Sequence, residues 1–85
     1  MKLLDEVLKK GTEPSLVKIK IPKHIFTEMK KENRNAKTTM WLHGIIDGQF
    51  YLSPDKPGKN RKLIRLPNKL QINELLKAEV VKIIK

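Results

Sequence analysis

The chain alternates between apolar and polar residues over one short segment, residues 15–22 (SLVKIKIP). Successive side chains of a β-strand point to opposite faces of a sheet, so this period of two predicts a strand that Pro22 ends. One face of the strand is apolar and the other is basic: Val17, Ile19 and Ile21 lie on the first, and Lys18 and Lys20 lie on the second.

Three other segments place apolar residues at helical spacing, near residues 2–10, 23–33 and 69–84. In the first of them, acidic residues come early and lysines come late, which suits the helix dipole. Gly11 follows, and glycine is typical of a helix end. The last segment is ambiguous, because its final residues, 79–85 (EVVKIIK), also fit a strand. We predict three helices and keep a C-terminal strand as the alternative.

The strongest local signal is a β-hairpin over residues 39–53, in which Asp47-Gly48 separates two β-prone runs and predicts a type I′ turn. With that turn, Ile45 pairs with Phe50, and His43 pairs with Leu52. One face then carries Trp41, His43, Ile45, Phe50 and Leu52, and the other carries Met40, Leu42, Ile46, Gln49 and Tyr51. Because both faces are largely apolar, either the hairpin is sandwiched or one face is a contact surface.

The order of elements predicts one small α+β domain spanning residues 1–85. A further strand is expected in residues 61–67 (RKLIRLP), so the chain reads helix, strand, helix, hairpin, strand, helix. That order indicates a mostly antiparallel sheet with helices packed on it.

Two segments, residues 19–25 and 64–70, share one pattern of apolar, basic and proline positions. Either they are duplicates or the match is chance; in both cases Lys20 and Arg65 lie opposite the core.

The charge balance adds a functional indication. Nineteen Lys and Arg residues against nine Asp and Glu residues leave a formal net charge of +10. Residues 1–17 are balanced, so the excess lies in the body of the domain. Heat-adapted proteins are rich in Lys and Ile and poor in Cys, which fits the sixteen Lys, nine Ile and no Cys of this chain. Heat adaptation accounts for the lysines but not for the shortage of acidic partners, and a surplus of positive charge attracts polyanions.

Several functional classes are not expected. Without cysteine, neither a disulfide nor a thiolate metal site can form. No apolar run approaches the roughly 20 residues that cross a bilayer, and the acidic residues near the N-terminus argue against a signal peptide, so we expect a cytoplasmic protein without a membrane partner. His24 and His43 have no acidic partner or nucleophile at a recognisable spacing, and the glycines form no phosphate loop. We therefore expect no enzyme, no metal and no cofactor.

Basic side chains that can contact phosphates are the main candidates for a binding site. These side chains fall in two groups, one within residues 18–37 and the other within residues 56–65. Lys23, Lys30 and Lys31 lie around the first group, and Pro54 and Pro57 stiffen the loop of the second. The predicted phosphate contacts are Lys18, Lys20, Arg34 and Lys37 in the first group, and Lys56, Lys59, Arg61, Lys62 and Arg65 in the second. The alternative is that these are ordinary solvated lysines.

Two aromatic residues on the predicted hairpin are candidates for stacking on bases. Trp41 and Tyr51 lie on a sheet next to basic strands. Proteins that bind single-stranded nucleic acids use this arrangement to stack aromatic side chains on bases. A thin core also needs aromatic residues, so core packing is the alternative for both.

Residues 16–33 (LVKIKIPKHIFTEMKKEN) resemble the opening strand and first helix of ribbon-helix-helix DNA-binding proteins. The chain then departs from that family, since Trp41, Gly44 and the Asp47-Gly48 turn stand where its second helix would follow. The function of that family is therefore not transferred.

The sequence thus predicts a small basic protein that binds DNA or RNA largely independently of sequence, through phosphate contacts of the Lys/Arg-rich loop and strand at residues 56–65 and of the basic surface at residues 18–37. The rival hypothesis is an accessory subunit of a larger, archaeal-type replication, transcription or translation complex. In that case the apolar hairpin face and the C-terminal helix would dock on a protein partner.

Overall fold

The computed structural model describes residues 2–58, 62–66 and 72–84. The helices are α1 (Leu4–Lys9), α2 (Lys23–Glu32) and α3 (Ile72–Leu76), and a 3₁₀ turn spans Pro14–Leu16. The strands are β1 (Val17–Lys20), β2 (Thr39–Ile46), β3 (Gln49–Ser53), β4 (Ile64–Arg65) and β5 (Val80–Ile83).

The five strands form one sheet in the order β4-β3-β2-β1-β5, and every neighbouring pair is antiparallel. Strand β1 therefore lies between β2 and β5, although β5 follows it in sequence by about sixty residues. The prediction of a small α+β domain with an antiparallel sheet and packed helices is confirmed.

The alternation along β1 separates the two faces of the sheet as predicted. Val17, Ile19 and the adjoining Ile21 are buried, whereas Lys20 is exposed and Lys18 is partly exposed. The apolar side chains of the strands join those of the helices in one core cluster, which includes Leu4 and Val7 of α1, Ile25 and Met29 of α2 and Leu75 of α3. The lysines of β1 therefore lie on the face opposite this core.

Two helices match their predicted positions. α1 begins at Leu4 and ends at Lys9, within the predicted 2–10. Gly11, with φ of +87°, follows its end, and that backbone conformation explains why glycine stands there. α2 runs from Lys23 to Glu32, within the predicted 23–33, and starts directly after Pro22.

The hairpin over residues 39–53 is confirmed, with Asp47 and Gly48 at its turn. Their φ angles are +52° and +74°, the pair of positive values that a type I′ turn requires. Ile45 pairs with Phe50 as predicted. The turn chemistry alone therefore predicted the correct local register.

The predicted pairing of His43 with Leu52 is wrong. A bulge shifts the register between Leu42 and Gly44, so that Leu42 pairs with Leu52 and Gly44 pairs with Tyr51. The extra residue, His43, reverses the facing of the strand beyond it. The two predicted hairpin faces are therefore corrected: the core face carries Met40, Leu42, Ile45, Phe50 and Leu52, and the opposite face carries Trp41, Gly44, Ile46, Gln49, Tyr51 and Ser53.

The predicted helix over residues 69–84 is wrong beyond Leu76, and its first residues, 69–71, lie outside the described residues. Residues 80–83 instead form β5 along β1, with Val17 opposite Ile83. The segment is rich in β-branched residues, and pairing with a buried strand outweighs its helical periodicity. The alternative strand reading of this segment was therefore the correct one.

Gly48 offers a test of the turn. Replacing Gly48 with alanine places a Cβ on a backbone with φ of +74°, and we expect the free energy of unfolding to fall by about 1 kcal/mol. Gly44→Ala is the matched control, because its backbone lies outside that region and, beyond its two chain neighbours, no atom of residues 2–58, 62–66 and 72–84 lies within 4 Å of the new Cβ. Urea unfolding of both variants measures the difference. Equal effects of the two substitutions would contradict the type I′ assignment.

No helix in the described part of the chain is long and apolar enough to cross a membrane.

Candidate nucleic-acid interface

A concave site of about 450 Å³ lies at one end of the sheet, where β2 begins and β3 ends. One wall comes from the end of α2 and the α2–β2 loop, and the other comes from the connection between β3 and β4. We call it the basic cleft; it is lined by Lys30, Arg34, Asn35, Ala36, Lys37, Pro54, Asp55 and Lys62. The fold thus brings together Arg34, Lys37 and Lys62, which the sequence placed in two separate groups.

The α2–β2 wall is held in place by Lys30. Its Nζ donates to the backbone oxygen of Arg34 at 2.6 Å and to that of Ala36 at 3.4 Å. Ala36 is buried and its amide donates to the oxygen of Asn33 at 3.1 Å. These bonds fix the loop, so that Arg34 and Lys37 are presented from a defined backbone instead of a freely moving segment.

The opposite wall depends on Ser53. This side chain is fully buried, and its Oγ accepts a hydrogen bond from the amide of Asp55 at 3.1 Å. A serine that caps the amide two residues later is a common way to turn a chain. The bond sets the course of Pro54 and Asp55 along the cleft.

Among the residues that the structure describes, the lining of the cleft carries four cations and one carboxylate, that of Asp55. Arg34, Lys37 and Lys62 are exposed. Two ion pairs among the described residues join Lys9 to Asp5 and His24 to Glu74, and neither of these two pairs includes a cation of the cleft. The cleft is therefore a concentration of positive charge in a concave surface, where the field of several charges adds.

A second group of cations lies on the face of the sheet opposite the core. Lys18 is in register with Lys82, and Lys20 follows on the same side of β1. Arg65 of β4 is in register with Tyr51 of the same face. We call Lys18, Lys20, Arg65 and Lys82 the basic sheet face. Lys20 and Arg65 were predicted to lie opposite the core, and both are exposed there.

Sequence reasoning missed Lys82, because it assigned this residue to a helix. The alternative prediction, a strand over residues 79–85, would have placed Lys82 in the sheet. Antiparallel pairing with β1 then places Lys82 directly beside Lys18.

The two aromatic candidates differ in exposure. Trp41 is only 2% exposed, and the Nζ of Lys18 lies 5.7 Å from the centroid of its ring. The 3₁₀ turn packs against the same strand, β2. In this position Trp41 packs against protein, and its ring is not accessible to a base. Tyr51 is partly exposed and remains the accessible aromatic residue of this face.

The other sequence candidates lie in or near the β3–β4 connection. Lys56 is exposed but does not line the cleft. Lys59 and Arg61 lie outside the described residues.

Catalytic and metal-binding groups are sparse in the described residues. Within residues 2–58, 62–66 and 72–84, no three His, Asp or Glu side chains cluster as metal ligands do. His24, which the sequence left without an acidic partner, contacts Glu74, and the pair joins α2 to α3 at the surface. Both side chains are more than half exposed, so we expect this contact to contribute little to stability.

Comparison of the chain with family models, with curated proteins and with solved structures finds no match.

Proposed function

We propose that this protein binds nucleic acid, DNA or RNA, by contacting phosphates through the basic cleft and the basic sheet face. One observation carries the proposal: Arg34, Lys37 and Lys62, which come from two distant segments, line one cavity. A chain with a net charge of +10 that gathers cations in a concave surface repels itself there. Phosphates relieve that repulsion and release their own counterions on binding.

The side-chain types favour recognition of the backbone over recognition of sequence. Sixteen of the nineteen basic residues are lysines, which act as point charges. Sequence-specific reading of the major groove relies most often on the forked guanidinium of arginine, and this chain has three arginines. We therefore infer that binding is largely independent of base sequence.

The test is a salt titration of the protein and of a cleft variant, Arg34→Gln with Lys37→Gln and Lys62→Gln. With a typical net value of about 1 kcal/mol for each contact, three lost contacts weaken binding roughly 100-fold. The slope of log Kobs against log salt should also become shallower by about 3, close to one unit for each phosphate contact. Fluorescence anisotropy with labelled mixed-sequence DNA and RNA measures both quantities.

The control variant removes the same charge elsewhere, with Lys2→Gln, Lys10→Gln and Lys77→Gln, three exposed lysines outside the cleft and the basic sheet face. If both variants lose affinity equally, the net charge of the protein governs binding and the cleft has no special role. Absence of binding to DNA and RNA at low salt would overturn the proposal as a whole.

The rival proposal, an accessory subunit of a larger complex, relied on an apolar hairpin face and a C-terminal helix as docking surfaces. The hairpin residues Met40, Leu42 and Trp41 are buried within the domain, and the helix ends at Leu76. Exposed apolar side chains on the hairpin are Ile45 and Ile46, beside the turn. We therefore rank this function second. Stable co-purification with a polymerase or ribosome, without retention on heparin, would reverse that order.

A further inference from the structure

Three residues in register form a row across the face of the sheet opposite the core. Gly44 of β2 pairs with Tyr51 of β3, and Tyr51 pairs with Arg65 of β4. Paired residues of an antiparallel sheet point to the same side. Tyr51 therefore lies between a residue without a side chain and an exposed guanidinium; we call Gly44, Tyr51 and Arg65 the tyrosine row.

The space above Gly44 is open. Apart from the chain neighbours of the glycine, no atom of the described residues lies within 4 Å of the position that a Cβ would occupy there. Its backbone is not in the left-handed region, so the turn geometry that explains Gly48 does not explain Gly44. Glycine weakens the interior of a strand and often marks a site that a ligand approaches closely.

The two aromatic residues of this face thus have different surroundings. Trp41 pairs with Ser53, and both side chains are buried. One step along the sheet, the tyrosine row has a partly exposed ring with a vacant position on one side. An accessible ring beside an open space is a shape that accepts a flat, apolar group.

We propose that Tyr51 is a stacking platform for an unpaired nucleobase, so that the ligand of this protein is a single-stranded nucleic acid. The inference rests on the proposed function and narrows its ligand class. Stacking on an aromatic side chain needs a base that is free of its duplex neighbours, and every base offers a π-face, so this contact is also independent of sequence. Arg65 contacts the phosphate next to the stacked base.

The platform and the basic cleft are close enough to act on one strand. Tyr51 and the cleft residue Pro54 are three residues apart, which corresponds to roughly 10 Å along an extended chain. A nucleic-acid strand whose base stacks on Tyr51 can therefore extend towards the cleft.

The experiment compares the affinity for a short single strand with that for the duplex of the same sequence, at one salt concentration. Tyr51→Leu removes the ring but keeps an apolar side chain, and we expect it to weaken single-strand binding about tenfold with little change for the duplex. Tyr51→Phe keeps the ring and should retain the affinity. Gly44→Val fills the open space, suits a strand, and should weaken single-strand binding while leaving the fold intact.

The outcomes separate this inference from the proposed function. If neither Tyr51→Leu nor Gly44→Val changes single-strand affinity, or if both lower single-strand and duplex affinity equally, the stacking platform is wrong. The proposed function survives that result if the cleft variant still loses affinity. Thermal unfolding of each variant identifies any loss that comes from misfolding, and Gly44→Val carries the test if Tyr51→Leu proves unstable.

Discussion

Replacing Trp41 with alanine is expected to lower the free energy of unfolding by about 3–5 kcal/mol, the range for removing a large buried aromatic side chain. Trp41 is 2% exposed, lies below the ammonium of Lys18 and belongs to a strand against which the 3₁₀ turn packs. Single domains have about 5–15 kcal/mol of stability in total, so this loss is a large part of it. Urea unfolding followed by circular dichroism measures the change.

Substitutions of Trp41 also distinguish a role of its ring in packing from a role in nucleic-acid binding. Trp41→Phe keeps an apolar ring, so it should recover much of the stability and leave nucleic-acid affinity unchanged. A Trp41→Ala variant that kept its stability but lost single-strand affinity would show that Trp41 contacts the ligand and would contradict the packing interpretation.

Replacing Ile19 with lysine is expected to abolish cooperative folding at 25 °C. Ile19 is fully buried in β1 and lies between Met40 and Val80 on the neighbouring strands. An uncompensated ammonium at this position costs several kcal/mol in desolvation, in addition to the lost apolar burial. Circular dichroism and one-dimensional NMR of the variant detect the loss of the fold.

The adjacent residue gives the matched control. Lys20→Ile makes the converse exchange at an exposed position, and we expect it to change the free energy of unfolding by no more than about 0.5 kcal/mol. If phosphate contacts extend over the basic sheet face, this variant also binds nucleic acid less tightly. Similar stability of the two variants would mean that the assigned facing of β1 is wrong, because a shift of one residue exchanges its two faces.

Local chemistry made part of the fold predictable. Asp47 and Gly48 suit positive φ angles, so the turn and the pairing of Ile45 with Phe50 followed from two residues. The strict alternation in β1 likewise determined which of its side chains are buried. In both cases the information lies within a few neighbouring residues.

Contacts between distant segments decided the parts that were wrong. The bulge at His43 could not be predicted from the sequence of β2, because both faces of this strand are largely apolar. The bulge follows only from the register of β2 with β3. Val80 and Ile83 fit a helix and a strand equally well, and their pairing with β1 resolves the ambiguity. The same limit applies to the cationic site. The sequence identified Arg34, Lys37 and Lys62 as candidates, but their position in one cleft depends on the tertiary fold.

The position of β1 between β2 and β5 has a consequence for how the protein forms. The pair of Val17 with Ile83 joins residues that are far apart in the chain, and such contacts close large loops and slow folding. During synthesis β1 can pair with β2 early, but its other edge stays without a partner until residues 80–83 have left the ribosome. An uncovered strand edge is a template for association with other chains. The nascent chain is thus most vulnerable to aggregation in the interval before β5 docks.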